Sequence, residues 1–268
     1  MVTLSAFGDE IAPDLIEQMD MLEREDIRHI ELRGVWRKGV LRLGNAQLDE
    51  IEEVLEERDF GISAIGSPIG KIGILEDFEP HVKDFRRALD IADFFGCEYV
   101  RVFSFYIPQG EDPAMYRDEV MQRMNLLVDL AEEMGIVLLH ENEKGIYGDT
   151  AERCRDLLDT IGSPFLKANF DAANFIQVGQ RPYEECFPLL KDDIAYLHIK
   201  DARLADGAVA PAGEGDAHFR EIFSELVEHG FEGFLCIEPH LAGDPKKAFR
   251  RAAKALKGLL DDLGMDYD

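Results

Sequence analysis

Glu141, Asp171, His198 and Glu238 stand at or beside the ends of four apolar runs, "IVLLHE", "FLKANFD", "IAYLHI" and "FLCIE". A bare carboxylate is costly to bury, so each acid needs a partner, a proton or a metal ion. Brought within a few ångströms, three carboxylates repel one another unless a cation lies among them. One imidazole beside them completes a plausible shell for a divalent ion. That chemistry depends on a fold that gathers residues scattered over the second half of the chain.

Apolar, β-branched runs alternate with helix-period segments from end to end. The pattern predicts strands near 2–7, 28–32, 61–66, 98–104, 136–141, 165–171, 194–200 and 233–238. It predicts helices near 13–25, 47–58, 78–95, 113–134, 150–161, 182–190, 217–229 and 245–263. Asp112-Pro113 and Asp244-Pro245 place a capping side chain before a proline of the first helical turn. Glycines such as Gly162 and Gly264 fall where helices should stop. No linker or low-complexity run divides the chain. The expected fold is α/β, a single (β/α)8 TIM barrel formed by residues 1–268 as one domain. A doubly wound sheet would need a glycine-rich phosphate turn, and "SAFGDE" is not one.

Side chains alternate across a strand, which divides each strand into two sets. Ile30 and Leu32, Val100 and Val102, Ala195, Leu197 and Ile199, and Leu235 and Ile237 suit the helix-packed outside of a barrel. The opposite sets face the axis and become more polar toward the C-terminal strand ends, where barrel enzymes carry their active sites. On this reading Glu141, Asp171, His198 and Glu238 surround one mouth. One divalent metal ion, manganese, magnesium, cobalt or zinc, is expected among them.

The net charge of −26 argues against a nucleic-acid partner, because phosphate binding needs a basic face. The acid is spread over helices such as "LDEIEEVLEERD" and reads as a solvated surface. Adaptation to high salt is the sharper reading, supported by 11 Lys against 18 Arg. No run approaches the roughly 20 apolar residues of a membrane span. The N-terminal stretch has no signal-peptide pattern, and four scattered cysteines without a CxxC pair fit a reducing cytoplasm.

"LLHENE", "NFDAAN", "YLHIKDA…PAGEGDAHF" and "FLCIEPH", in that order, resemble the xylose isomerase-like barrel superfamily, the sugar phosphate isomerase/epimerase group. The resemblance covers essentially the whole chain. It implies that Glu141, Asp171, His198 and Glu238 bind one divalent ion, and that Glu141 and Glu238 also exchange a substrate proton. It also implies homo-oligomers, dimers or tetramers. Two positions depart from the epimerase pattern. Asn174 stands where a histidine is usual, and the arginine after the strand-seven histidine has no clear counterpart, although Arg203 and Lys200 are near.

Lys200, Arg101, Glu31, Arg33, Asn174 and His240 are the candidate substrate contacts. Arginine can hold a carboxylate or phosphate through two parallel hydrogen bonds. Glu31 and Arg101 could instead form a buried ion pair, and Lys200 could pair with Asp171 or Glu238. Lys167 lies deeper and suits a structural partner. Glu143 is expected just beyond a ligand position, Glu10 as a loop carboxylate, and "GEG" at 213–215 as a flexible turn. Trp36, Phe7, Phe103, Phe105, Tyr106 and Tyr147 are mostly core by this reading, with one or two free to stack on a sugar ring.

The expected chemistry is proton transfer beside the carbonyl of a small sugar or polyol through an ene-diolate, as in an isomerase or epimerase. One alternative is a dehydratase that expels a β-hydroxyl, with His240, Lys200 or Glu143 as the acid. The other is a sugar-binding barrel without chemistry.

Overall fold

Eight of the apolar runs pair side by side as parallel strands in a computed structural model that describes residues 1–268. They are β1 (Thr3–Ala6), β2 (His29–Leu32), β3 (Gly61–Ile65) and β4 (Tyr99–Val102), then β5 (Val137–Glu141), β6 (Leu166–Asp171), β7 (Ile194–Ile199) and β8 (Phe234–Ile237). Each pairs with its neighbour in sequence, and β1 pairs with β8, which closes the barrel. The expected (β/α)8 fold is therefore present.

The helices follow the amphipathic pattern. They are α1 (Leu15–Arg24), α2 (Asn45–Glu57), α3 (Glu79–Phe94), α4 (Arg117–Glu132), α5 (Ala151–Ile161), α6 (Ala172–Gln177), α7 (Phe187–Leu190), α8 (Phe219–Glu228) and α9 (Pro245–Leu263). Asp244 caps α9 by accepting from the Lys247 N–H, and Asp112 caps the 3-10 turn that leads into α4. α6 is absent from the sequence expectation. Six residues are too short to show a helical period, and its N-cap is Asp171, one of the candidate ligands. No helix is long and apolar enough to cross a membrane.

Two apolar bodies hold the fold. The larger lies between strands and helices and contains the expected outward set, including Ile30, Leu32, Val100, Leu197, Leu235 and Ile237. The smaller fills the barrel itself with Phe7, Ala64, Leu139, Tyr196 and Cys236. Ala195 joins this inner body rather than the outer one. The register between β6 and β7 slips there, from Ala168 opposite Ile194 to Asn169 opposite Tyr196, so alternation fails at one residue. Ser5, Ser63 and Tyr196 satisfy one another's hydroxyls inside the barrel, at 2.6 and 2.8 Å.

Loops after β3, β4 and β5 are tied together above the mouth. Phe105 N–H donates to the Gly70 carbonyl at 3.0 Å, and Ile107 N–H to that of Gly145 at 3.0 Å. Gly70 has φ +91°, and a Cβ there would lie 1.9 Å from the Phe103 carbonyl oxygen, so only glycine fits.

Candidate metal centre

The strand ends deliver the four residues as their spacing implies. Glu141 and Asp171 are the last residues of β5 and β6, His198 is the penultimate residue of β7, and Glu238 follows β8. All four are buried, and one ligand atom from each lies within 4.8 Å of the others. Ligands bound at about 2.1 Å on opposite sides of an ion are roughly 4.2 Å apart, so the cluster has the span a divalent ion needs.

Charge on these groups is compensated but not saturated. Glu141 Oε2 lies 3.2 Å from Arg101 Nη1, and Glu141 Oε1 accepts from Asn174 Nδ2 at 3.2 Å. Lys200 Nζ lies 2.8 Å from Asp171 Oδ2 and 2.7 Å from Glu238 Oε2. Glu141 Oε2 and Asp171 Oδ2 are buried and meet no donor apart from these two cations. Each oxygen keeps a second lone pair that its single cation does not use, and a divalent ion can take it, so this donor set fits a divalent metal.

The protonation pattern agrees. Burial pushes the Glu141 carboxyl up, but His198 and Arg101 outweigh it and hold it at about 2. Burial likewise opposes ionisation of Glu238, and Lys200 with His198 keeps it well below the usual carboxylate range. Asp171 goes the other way: burial, with Glu238 and Glu141 nearby, lifts it to about 7 in spite of Lys200. The acids therefore crowd one another as the residue types imply.

The candidate substrate contacts divide into two groups. Arg33, Arg101, Asn174, Lys200 and His240 line a cavity of about 540 Å³ over the cluster. Glu31 does not. It is 1% exposed and lies beneath, with Oε2 2.9 Å from His198 Nε2 and Oε1 3.7 Å from Arg101 Nη1. A side chain with no open face cannot contact a substrate, so the buried ion pair is the reading the geometry carries, extended to the histidine. His198 Nδ1 consequently faces Glu141 at 3.4 Å and Glu238 at 3.9 Å.

Lys167 pairs with Asp193 at 3.0 Å, away from the mouth. Glu10 reaches the rim, accepting from Arg33 at 3.1 Å and lying 2.8 Å from His240 Nε2. No Phe, Tyr or Trp ring lines the cavity. Phe7 and Phe103 lie under its cations instead, with Arg33 4.2 Å above Phe7 and Lys71 4.2 Å above Phe103.

Three contributors were not legible in the sequence. Asn142 clamps the ends of β5 and β6, exchanging hydrogen bonds with the Asp171 backbone at 2.9 and 3.0 Å. Lys71 reaches the cavity wall from the loop after β3. Asp201 is fully buried and accepts from the backbone N–H groups of Ala202, Gly213, Gly215 and Ala217. The "GEG" turn is thus wrapped around a carboxylate rather than flexible. A Cβ at Gly215 would lie 2.3 Å from Asp201 Oδ1.

Known proteins share this arrangement of elements. The chain is 22% identical over 253 residues to an inosose dehydratase of Clostridium perfringens, covering 86% of this chain and 77% of that one. It is 23% identical over 181 residues to a fructoselysine 3-epimerase of Escherichia coli O157:H7, a match that spans 65% of each chain. A xylose isomerase-like TIM barrel protein from Mycobacterium smegmatis, solved in complex with magnesium, superposes with a TM-score of 0.73 at 21% identity, over 98% of this chain and 97% of that one. The family described as "Xylose isomerase-like TIM barrel" matches residues 20–259, and the chain belongs to that family.

Proposed function

We propose that this protein is a divalent-metal-dependent isomerase or epimerase that moves a proton beside the carbonyl of a small sugar or polyol. The observation that carries the reading is the convergence of Glu141, Asp171, His198 and Glu238 within 4.8 Å at the mouth. These four would hold the ion, which when bound supplies Lewis-acid polarisation of a carbonyl oxygen and its neighbouring hydroxyl. Three carboxylates and one imidazole favour manganese or magnesium, and zinc and cobalt fit as well.

The protein's own groups would do the proton transfer. Glu141 and Glu238 are both held ionised, the state a base needs. They come from β5 and β8 and can flank a small ligand in the cavity. One takes the carbon-bound proton, and the other, once it has picked up a proton from solvent, delivers that proton to carbon from the opposite side. Asn174 and Arg101 hold the Glu141 carboxylate in place, and Lys200 and Arg33 hold that of Glu238. Loss of water is the second reading, supported by His240 Nε2 at 3.4 Å from Glu238, where an acid could serve a leaving hydroxyl.

The test is metal analysis of the purified protein, then incubation of chelator-treated and manganese-restored protein with ketoses and keto-cyclitols in deuterated water. Deuterium should enter carbon only in the restored protein. An isomerase or epimerase conserves product mass apart from the label, whereas a dehydratase loses water. Deuterium uptake that survives complete metal removal would sink the proposal.

Glu31 provides a second check. A carboxylate behind a metal-binding imidazole fixes its ring orientation and tautomer. Glu31→Gln should weaken manganese affinity by about 10- to 100-fold, measured by calorimetric titration. An affinity equal to that of the unaltered protein would show that Glu31 does not orient His198 for a metal.

A further inference from the structure

We infer that the cavity takes an uncharged keto-polyol and discriminates against substrates that carry a phosphate or carboxylate. This rests on the proposed metal-assisted proton transfer and adds the charge class of the substrate. Five permanent cations line the cavity: Arg33, Arg42, Lys71, Arg101 and Lys200. Each has a carboxylate beside it, loosely in the case of Arg42, which is largely exposed at the outer wall. Arg33 lies 2.9 Å from Asp9, Arg42 3.5 Å from Asp84, and Lys71 3.0 Å from Glu143. Arg101 lies 3.2 Å from Glu141, and Lys200 2.7 Å from Glu238.

The acids also outnumber them. Asp84, Glu141, Glu143 and Glu238 in the wall, with Asp9, Glu10, Glu31 and Asp171 behind it, give eight carboxylates at ion-pair distance from those five cations. A divalent ion would bring the site close to neutrality and leave no surplus for a phosphate monoester of nearly two negative charges. Recognition of such an anion uses a free guanidinium fork or a row of backbone N–H groups. What remains open at the wall is of another kind. The amide oxygen of Asn174, whose Nδ2 is already used by Glu141 and Asn142, and the side-chain amide of Gln177 suit hydroxyl groups. The net charge of −26 adds long-range repulsion of anions.

The experiment compares matched probes on the manganese-loaded full chain at about 0.1 M salt: D-fructose against D-fructose 6-phosphate, and an inosose against 3-dehydroshikimate. Calorimetric affinity and deuterium uptake are both read. The neutral member should be favoured at least tenfold in each pair. Raising salt to about 1 M shrinks the screening length to about 3 Å and should narrow that gap. Glu143→Gln, which uncovers Lys71, should improve the anionic member by about tenfold, and the salt series answers the same question if this variant does not fold. Tighter binding of the anionic member, no neutral preference in either pair, or a gap insensitive to salt would overturn the inference. Its failure is distinct from failure of the metal reading. In the first case the anion is labelled or held while the ion stays bound, and in the second neither member is labelled and the ion has no effect.

Discussion

Glu141→Gln will cut deuterium exchange at carbon by at least about 100-fold, and by as much as about 10,000-fold, at saturating manganese. Glutamine keeps the length of the side chain, and its amide oxygen can still accept from Asn174 Nδ2, now at 3.2 Å from Glu141 Oε1. What disappears is the charge facing Arg101 and His198 and the oxygen that can take a proton. Two losses are therefore mixed, of base and of ligand, and they separate by titration. Asp171→Asn should lose activity by losing metal affinity, and excess manganese should restore much of it. Glu141→Gln should stay impaired however much metal is added. Glu238→Gln should behave as Glu141→Gln does, because the proposed chemistry makes Glu238 the second carboxylate of the pair and Lys200 holds it ionised. Turnover of either glutamine variant within a few-fold of the unaltered protein would remove the proposed acid–base pair.

That prediction could be framed from the sequence because the ligand positions rest on strand periodicity. Period two fixes which face Glu141, Asp171 and His198 occupy, and barrel closure brings the faces together. Periodicity fails where the backbone leaves the pleat. Ala195 falls at a register slip between β6 and β7, and α6 has no room to show a period of 3.6. It is also silent about where long side chains end. Period two places Glu31, Arg101 and Lys200 at the axis, yet the lysine reaches two carboxylates at the mouth while Glu31 is sealed under His198. The difference is one of depth, set by how far each strand runs before its residue. Loop partners are harder still. Lys71 and Glu143 are 72 positions apart, and only the folded loops after β3 and β5 join them.

Asp201→Ala should destabilise the protein by about 3 kcal/mol or more, although residue 201 touches no cavity. Its carboxylate is completely buried and accepts four backbone N–H groups at 2.8 to 3.0 Å. Each donor left without a partner costs about 1–3 kcal/mol, less where water can enter. In a chain of this size each kcal/mol moves Tm by roughly 2–4 °C, so a fall on the order of 10 °C is expected by calorimetry. Asp201→Asn should fall between. Its oxygen can serve the pair of N–H groups at one end, and its NH₂ must oppose the pair at the other. The effect should reach the metal site through the backbone. Asp201 follows Lys200 directly, and the Asp201–Ala202 strand packs on α6, which begins at the Asp171 cap and carries Asn174. Loosening that strand should weaken manganese binding as well as stability, while Glu31→Gln should weaken binding with a far smaller change in Tm. An Asp201→Ala variant that melts within about 2 °C of the unaltered protein would show that the four N–H groups find water at little cost. The turn around residues 213–215 would then be as free as its glycines first suggest.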